Sequence, residues 1–192
     1  MNQRNINGHD FCKTLCLVLT LVLSPALAVA HGGGGGKPVN LEVNSAGDAL
    51  ETKTASGCTG KPNRPSFVEP GCVRFEAGLS DTVTFKLTGN PNCDGSKKWK
   101  LDGVQLANVN GVKPDPWPDV VTDLDARAVR DFNVNPNTGW VNLSATGSTI
   151  DVTNRNISAT GYHVWYRVRA VCDETAVEPI YLDPRFDNEG TP

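Results

Sequence analysis

A histidine at position 31 stands directly after a sequence of the kind that signal peptidases cut. Residues 28–30 read Ala-Val-Ala, a small-x-small pattern, and five glycines follow the histidine. Cleavage after residue 30 would leave a free α-amine and an imidazole on His31, and such a pair of nitrogens chelates Cu(II) in a tetragonal geometry. His163 is the only other histidine of the predicted mature chain. The sequence therefore allows one copper site, made of His31 and His163.

The copper site competes with a simpler interpretation of the same residues. A copper centre built on an amino-terminal histidine needs further imidazole ligands, and a blue-copper centre needs two His, a free Cys and often a Met. The single methionine is Met1. Five glycines in a row form a loose tether, and one imidazole on a strand rarely makes a metal site by itself. We therefore expect no cofactor and keep copper as the alternative.

The first thirty residues have the three parts of an export signal. Arg4 and Lys13 give a positive start, residues 15–23 form an apolar core, and Ser24-Pro25 ends that core before the cleavage site. The apolar run is far shorter than the ~20 residues that span a bilayer, so we expect the signal to be removed and the protein to reach the periplasm or the medium. The predicted organisation is a signal peptide at 1–30, a flexible glycine-rich start at 31–37 and a single domain at 38–192.

The predicted mature chain is weakly acidic. Removing residues 1–30 takes away two of the 18 basic and one of the 21 acidic residues, which leaves a net charge of −4. A chain of this charge has no overall field that attracts nucleic acid or anionic lipid. We therefore expect a protein or glycan partner, no nucleic acid, and no membrane insertion once the signal is removed.

Four of the six cysteines lie beyond residue 30, namely Cys58, Cys72, Cys93 and Cys172. An even number in an exported chain predicts two disulfides, and no two of the four have the Cys-x-x-Cys spacing of a zinc site. Three pairings are possible. We favour Cys58–Cys72, because the proline-rich stretch between them shows little periodicity and has the character of an irregular loop. Cys93–Cys172 is then the second pair.

Most of the remaining sequence alternates between apolar and polar residues in short runs, which is typical of β-strands. Such runs surround residues 39–43, 73–75, 83–87, 99–101, 140–143 and 150–152. The clearest run is residues 161–171 (GYHVWYRVRAV). Its period of two places on one face Tyr162, Val164, Tyr166, Val168 and Ala170, and on the other His163, Trp165, Arg167 and Arg169.

Residues 107–133 break this alternation. Within them, apolar residues recur every four positions from Val120 to Phe132, with aspartates at the start and arginines near the end. This order suits the helix dipole and predicts one short helix at about 119–131. The predicted fold is all-β, an antiparallel two-sheet sandwich of the immunoglobulin or cupredoxin kind with one short helix in a long connection.

The last third of the chain resembles the DP-EP family of small bacterial β-sandwich domains. The strand YHVWYRVRAV precedes a second strand that ends in Asp183-Pro184-Arg185-Phe186-Asp187-Asn188, and both are similar to the last hairpin of that family. DTVTFKLTG and WKLDGV stand where such domains have an early strand and a Trp-led strand. The resemblance implies a β-sandwich and no settled activity. The four cysteines, the proline-rich insert at 59–71, the helix and the glycine-rich start depart from the family.

The four tryptophans allow a binding interpretation. A row of exposed Trp side chains on a sandwich face can stack on sugar rings, although Trp more often fills the core. Trp165 is the best-exposed candidate, because Tyr and Val occupy the opposite face of its strand, and it is the predicted carbohydrate-binding residue. Asp115, Asp119, Asp123 and Asp125 offer oxygen ligands for calcium, but they lack the EF-hand pattern and suit the start of a helix.

No complete catalytic motif is present in the sequence. The G-x-S-x-G motif of serine hydrolases is absent, and cysteines that pair in disulfides cannot act as nucleophiles. The sequence therefore predicts an exported, disulfide-stabilised β-sandwich with a non-enzymatic binding or structural role. The alternatives are a copper-binding protein that uses His31 and a carbohydrate-binding module that uses Trp165.

Overall fold

Strands account for most of the regular structure within the residues that the structure describes. A computed structural model describes residues 37–53, 71–76, 78–89, 91–107, 111–121, 124–143, 146–172 and 176–188. The elements within these residues are β1 (Lys37–Val43), β2 (Leu50–Thr52), β3 (Val73–Phe75), β4 (Asp81–Leu87), β5 (Asn92–Asp94), β6 (Lys97–Ala107), α1 (Ala126–Phe132), β7 (Thr149–Asn154), β8 (Tyr162–Cys172), β9 (Ile180–Leu182) and β10 (Arg185–Asn188). The predicted signal peptide at 1–30, His31 and Cys58 lie outside the described residues.

The strands form two sheets that pack face to face. The first sheet has the order β2-β1-β4-β7, and the second has the order β3-β10-β8-β6-β5, with β9 also pairing with β8. Phe85 of the first sheet lies against Tyr166 and Phe186 of the second, with ring centroids 5.5 and 6.4 Å apart. The predicted all-β sandwich is therefore confirmed.

Alternation along β8 separates its side chains as expected. The predicted inner set is fully buried, from Tyr162 to Ala170. Phe186 on β10 stacks on Tyr166 with centroids 3.9 Å apart, and on Phe132 of α1 with centroids 5.0 Å apart. Burying an aromatic side chain of this size contributes roughly 1.5–3 kcal/mol. The aromatic cluster around Phe186 therefore joins the second sheet to the helix and to the first sheet.

The sandwich is mixed rather than purely antiparallel, which corrects the sequence-based prediction. β1 runs parallel to β4, with Val39 beside Phe85, and β3 runs parallel to β10, with Val73 beside Phe186. Between β1 and β4 the chain passes through β3 in the second sheet, and a crossover of this length permits a parallel return. Apolar and polar residues alternate with the same period in either direction, so the pattern could not distinguish the two.

The predicted short helix is present, but it begins later than expected. It spans Ala126–Phe132 rather than 119–131. The Asp125 side chain caps it by accepting a hydrogen bond from the Arg127 amide at 2.8 Å. Ahead of the cap, the Gln105 side chain of β6 donates to a main-chain carbonyl of the connection at 3.4 Å. This contact ties the segment ahead of the helix to the second sheet.

The strand predicted at 140–143 is reduced to single bridges. Trp140 bridges Gln105 on β6, and Val141 bridges Val134. β6 itself is longer than the predicted run at 99–101, and its register against β8 shifts between Leu101 and Gly103. The segment that the sequence predicts as a separate strand at 140–143 is therefore irregular, and it joins β6 through the single bridge at Trp140.

A disulfide joins Cys93 on β5 to Cys172 at the end of β8, which confirms one predicted pair. It fixes the short edge strand to the central strand of the second sheet. Cys72 is also disulfide-bonded. Because Cys58 lies outside the described residues, the Cys58–Cys72 pairing stays a prediction. Oxidised cysteines are typical of proteins that leave the cytoplasm.

Replacing both Cys93 and Cys172 with alanine should lower the free energy of unfolding by about 4 kcal/mol, because a cross-link between residues so far apart in sequence restricts the unfolded chain. The sequence separation is 79. Chemical denaturation under non-reducing conditions measures the change. Ser96→Ala, in the exposed turn between β5 and β6, is the control and should leave stability nearly unchanged. A loss below about 1 kcal/mol in the double variant would contradict this account of the disulfide.

Candidate functional site

The connection between β6 and β7 covers the side of the second sheet that faces away from the core. The Trp165 indole nitrogen donates to the Gly111 carbonyl at 2.9 Å, and the Leu106 amide donates to the Gly139 carbonyl at 2.8 Å. The polar set of β8 side chains points to this side, as the alternation predicts. We call this side of the second sheet the outer face.

Trp165 is buried on the outer face, so the expectation of an exposed ring is wrong. Its exposed fraction is 6%. The Arg185 guanidinium carbon lies 6.0 Å from its ring centroid, and the covering connection takes the indole hydrogen bond. The sequence pattern showed a strand face opposite the core but not the segment that folds over it. Trp165 therefore offers little surface on which a sugar could stack.

His163 is half-buried on the same face, with Nε2 3.4 Å from the Gly111 carbonyl oxygen. His31 lies outside the described residues, so the copper site stays a prediction. In the part of the chain that the structure describes, no group of three or more His, Cys, Asp or Glu side chains is placed to hold a metal ion. Of the acidic set considered for calcium, Asp125 caps the helix, and Asp123 is outside the described residues.

Arg167 lies at the centre of the outer face, surrounded by aromatic rings. The residue is only 9% exposed. Its guanidinium carbon is 4.6 Å from the ring centroid of Tyr181. The ring centroids of Trp117 and Trp140 follow at 5.3 and 5.8 Å. Each cation–π contact of this kind contributes about 0.5–2 kcal/mol, so the charge draws β9 and the covering connection together.

A hydrogen-bond chain links Arg167 to the covering connection. Arg167 Nε donates to Gln105 Oε1 at 2.7 Å, and Gln105 Nε2 donates to the Thr138 carbonyl at 2.8 Å. Gln105 is fully buried, so its amide group depends on these internal partners. These two hydrogen bonds fix the turn that immediately precedes Trp140.

Trp140 occupies a position where the sheet has no side chain. A Cβ atom at Gly103 would lie 2.4 Å from Trp140 Cζ3, so the ring fits there only because residue 103 is glycine. Arg169 pairs with Gly103 across β6 and β8, and its guanidinium carbon lies 4.3 Å from the Trp140 ring centroid. The sheet and one arginine therefore hold the ring in place.

Arg169 is held in turn by Asp102. Its Nε and Nη2 donate to the two carboxylate oxygens at 2.8 and 2.9 Å. Burial opposes the charge of Arg169, but the hydrogen bonds and charge of Asp102 outweigh burial and raise the pKa of the guanidinium. The planar pair leaves both side chains in fixed positions beside the indole ring.

An open cleft of about 400 Å³ lies beside Trp140. We call it the Trp140 cleft. Its volume falls within the range of roughly 300–1,000 Å³ that is usual for small-molecule sites. Its walls combine an aromatic ring, an ion pair, an amide and a hydroxyl, from Trp140, Arg169 with Asp102, Asn142 and Thr146. The fold brings these groups together from β6, β8 and the covering connection.

Asp183 is a titratable group near the aromatic surround of Arg167. It is half-buried, and its Oδ1 has no hydrogen-bond partner among the described residues. Burial raises the pKa of this carboxyl group, while Lys113 and Arg167 oppose the shift and Asp115 adds to it. The surroundings of Asp183 therefore favour the protonated form of its carboxyl group over the carboxylate.

A second polar cluster, centred on Asp131, joins the helix to two strands. Its carboxylate accepts hydrogen bonds from the Tyr162 hydroxyl at 2.8 Å, from Asn188 Nδ2 at 3.0 Å and from the Ile157 amide at 3.1 Å. Burial raises the pKa of Tyr162, so the phenol remains protonated and continues to donate. Because Asp131 is fully buried and bonded from several elements, we assign this cluster a structural role.

The sequence-based predictions do not include the residues that line the Trp140 cleft. Trp140 is one tryptophan of four, the alternation places Arg169 only in the outer set of β8, and no pattern distinguishes Asp102. One signal was available, because arginines at 167 and 169 alternate with core residues, and arginine is rarely buried without a partner. That pattern predicts a second packed face. The bulge that presents Asp102 has no signature in the alternation.

No protein-family model matches the chain, and a search of curated proteins finds no match. The DP-EP resemblance therefore stays a prediction. No helix in the described ranges has the length and apolar character needed to cross a bilayer.

Gly103→Ala should lower the free energy of unfolding by about 1–3 kcal/mol, because the added methyl group would overlap the Trp140 ring and displace it. Urea denaturation measures the change. The control is Thr146→Ala on the exposed rim of the same cleft, for which we expect little effect. Equal stability of the glycine and alanine forms would show that the ring is not fixed on the sheet.

Asp183→Asn should be more stable than the wild type at neutral pH and should lose that advantage in acid. The folded pKa of Asp183 lies above the ordinary 3.8, so wild-type stability increases as the pH falls through the raised value, with the increase complete below 3.8. The asparagine variant lacks this dependence. Unfolding free energies measured from neutral to acid pH test the difference.

The control for Asp183→Asn is Asp119→Asn, which removes an exposed carboxylate from the connection between β6 and β7, whereas Asp183 lies between β9 and β10. It should leave stability at neutral pH nearly unchanged. An asparagine variant at 183 that is less stable than the wild type at neutral pH would contradict the assigned direction.

Proposed function

We propose that this protein is exported and acts by binding a carbohydrate in the Trp140 cleft, without catalysing a reaction. One observation carries the proposal: an indole ring, fixed on Gly103 by the Arg169–Asp102 pair, forms the wall of an open cleft with polar groups around it. The ring supplies apolar surface for the carbon-bound hydrogens of a sugar. The surrounding amide, hydroxyl and ion pair supply hydrogen bonds for its hydroxyl groups.

The charges of the cleft favour binding over proton transfer. A general base must accept a proton from the substrate, whereas the Asp102 carboxylate accepts two hydrogen bonds from Arg169. The paired carboxylate is therefore better suited to orienting a ligand than to removing a proton from one. The fixed partners also limit the conformational entropy that binding would cost.

Export is supported by two independent features. The first thirty residues read as a cleavable signal, and the Cys93–Cys172 disulfide is of the kind found in oxidising compartments. An exported protein encounters glycans on the cell surface and in the medium, and these are the class of ligand that we propose. The sandwich fold agrees with what the DP-EP resemblance implies, and membership of that family is part of the proposal.

The test is a glycan array followed by calorimetry on the disulfide-bonded protein. We expect at least one neutral glycan to bind, and Trp140→Phe to weaken its binding about tenfold, which corresponds to about 1.4 kcal/mol. Trp165→Phe makes the same change at a buried ring outside the cleft and serves as the matched control. Thermal melting of both variants confirms that they are folded.

A second variant keeps the test informative if Trp140→Phe unfolds. Thr146→Arg places a long side chain in the cleft from an exposed rim position, so it should block binding and leave the fold intact. The proposal fails if no glycan binds, or if binding survives both Trp140→Phe and Thr146→Arg. Release of a modified glycan during incubation would show that the protein is an enzyme.

A further inference from the structure

A second cleft, of about 340 Å³, adjoins the Trp140 cleft. It lies between the end of α1, the outward side chains of β7 and the covering connection. The residues that define it are Asn133, Asn142, Asp151, Thr153 and Arg155, with Phe132 behind them. We call it the Arg155 cleft. Val141 and Asn142 contribute to the walls of both clefts.

The residues shared by the two clefts are held on both sides. The Val141 amide donates to the Val104 carbonyl of β6 at 2.9 Å. The Asn142 amide donates to the Asn133 carbonyl at 3.1 Å, and the Asn142 side chain donates to the same carbonyl at 2.9 Å. Because this segment is tied to β6 on one side and to the end of the helix on the other, the spacing between the two clefts is fixed.

Each cleft contains one positive and one negative side chain. In the Trp140 cleft these are Arg169 and Asp102, which pair directly. In the Arg155 cleft they are Arg155 and Asp151, and Asp151 also accepts a hydrogen bond from the Thr84 hydroxyl at 2.6 Å. The remaining polar groups are neutral amides and hydroxyls. A ligand that follows both clefts therefore meets no net charge and many neutral hydrogen-bonding groups.

We infer that the two clefts bind a single ligand, a neutral linear oligosaccharide that crosses the Val141–Asn142 segment and places sugar rings in both. This inference rests on the proposed function and specifies its ligand. One end of the ligand contacts Trp140, and the other lies among Asp151, Thr153 and Arg155. Sugar units joined in one chain reach the second cleft at high effective concentration once the first cleft is filled.

The test compares ligands of increasing length. Calorimetry with neutral glucose and mannose oligomers of one to six rings, and with hexuronic acid oligomers of the same lengths, measures affinity. We expect the affinity of a neutral series to rise at least about tenfold between the short oligomers and the longest. We expect the hexuronic acid oligomers to bind more weakly than neutral oligomers of equal length.

Arg155→Gln tests the second cleft directly. Arg155 is exposed, so the variant should fold, as thermal melting will show. It should weaken binding of the longest neutral oligomer about fivefold or more, and it should leave binding of the shortest binding oligomer unchanged. Lys86→Gln, the same kind of change on an exposed position of β4 outside both clefts, should leave both affinities unchanged.

The possible failures are distinguishable. If short oligomers bind but affinity does not rise with length, or if Arg155→Gln weakens short and long oligomers equally, the second cleft is not part of the site and the inference is wrong. Preference for hexuronic acid oligomers would also overturn it. If neither neutral nor acidic oligomers bind, the proposed function itself fails.

Discussion

β8 directs alternate side chains to opposite sides of the second sheet, and this alternation governs both the core and the candidate site. On the inner side Tyr166 stacks on Phe186 between the sheets. On the outer side the adjacent residue, Arg167, lies among three aromatic rings. A shift of β8 by one residue would place arginines among the core side chains, which would bury charge without partners. The register of this strand is therefore specified from both sides.

Both ends of β8 are anchored by different chemistry. Tyr162, its first residue, donates to the buried carboxylate of Asp131, and Cys172, its last residue, is bonded to Cys93. One anchor uses a buried hydrogen bond and the other a covalent bond, so the strand is fixed relative to the helix at one end and to the edge strand β5 at the other. Because β8 is fixed at both ends, its outer side chains form a rigid surface against which the covering connection packs.

A buried charge organises the irregular part of the molecule. Removing the Arg167 guanidinium from water costs free energy, and the surrounding rings and the Gln105 amide offset that cost. The hydrogen bonds that join Arg167, Gln105 and Thr138 are all satisfied, and a satisfied network of this kind permits few alternative side-chain conformations. The turn at Thr138 and the ring of Trp140 therefore have defined positions. Contacts within the protein thus hold the residues that line the Trp140 cleft.

The sequence by itself determined the elements whose signals are local. Alternation located most strands and the separation of β8 into two faces, and a four-residue recurrence of apolar residues located one short helix, because side-chain direction follows from backbone geometry alone. The irregular stretch between Cys58 and Cys72 favours that pairing and leaves Cys93–Cys172 as the second pair, which the structure contains. Tertiary structure decided which strands run parallel and where the helix begins. It also decided that Trp165 is covered while Trp140 borders a cleft. These outcomes depend on contacts between residues far apart in the chain, such as Gly103 with Trp140 and Arg167 with Tyr181, and no local pattern encodes which distant segment will fill a given face.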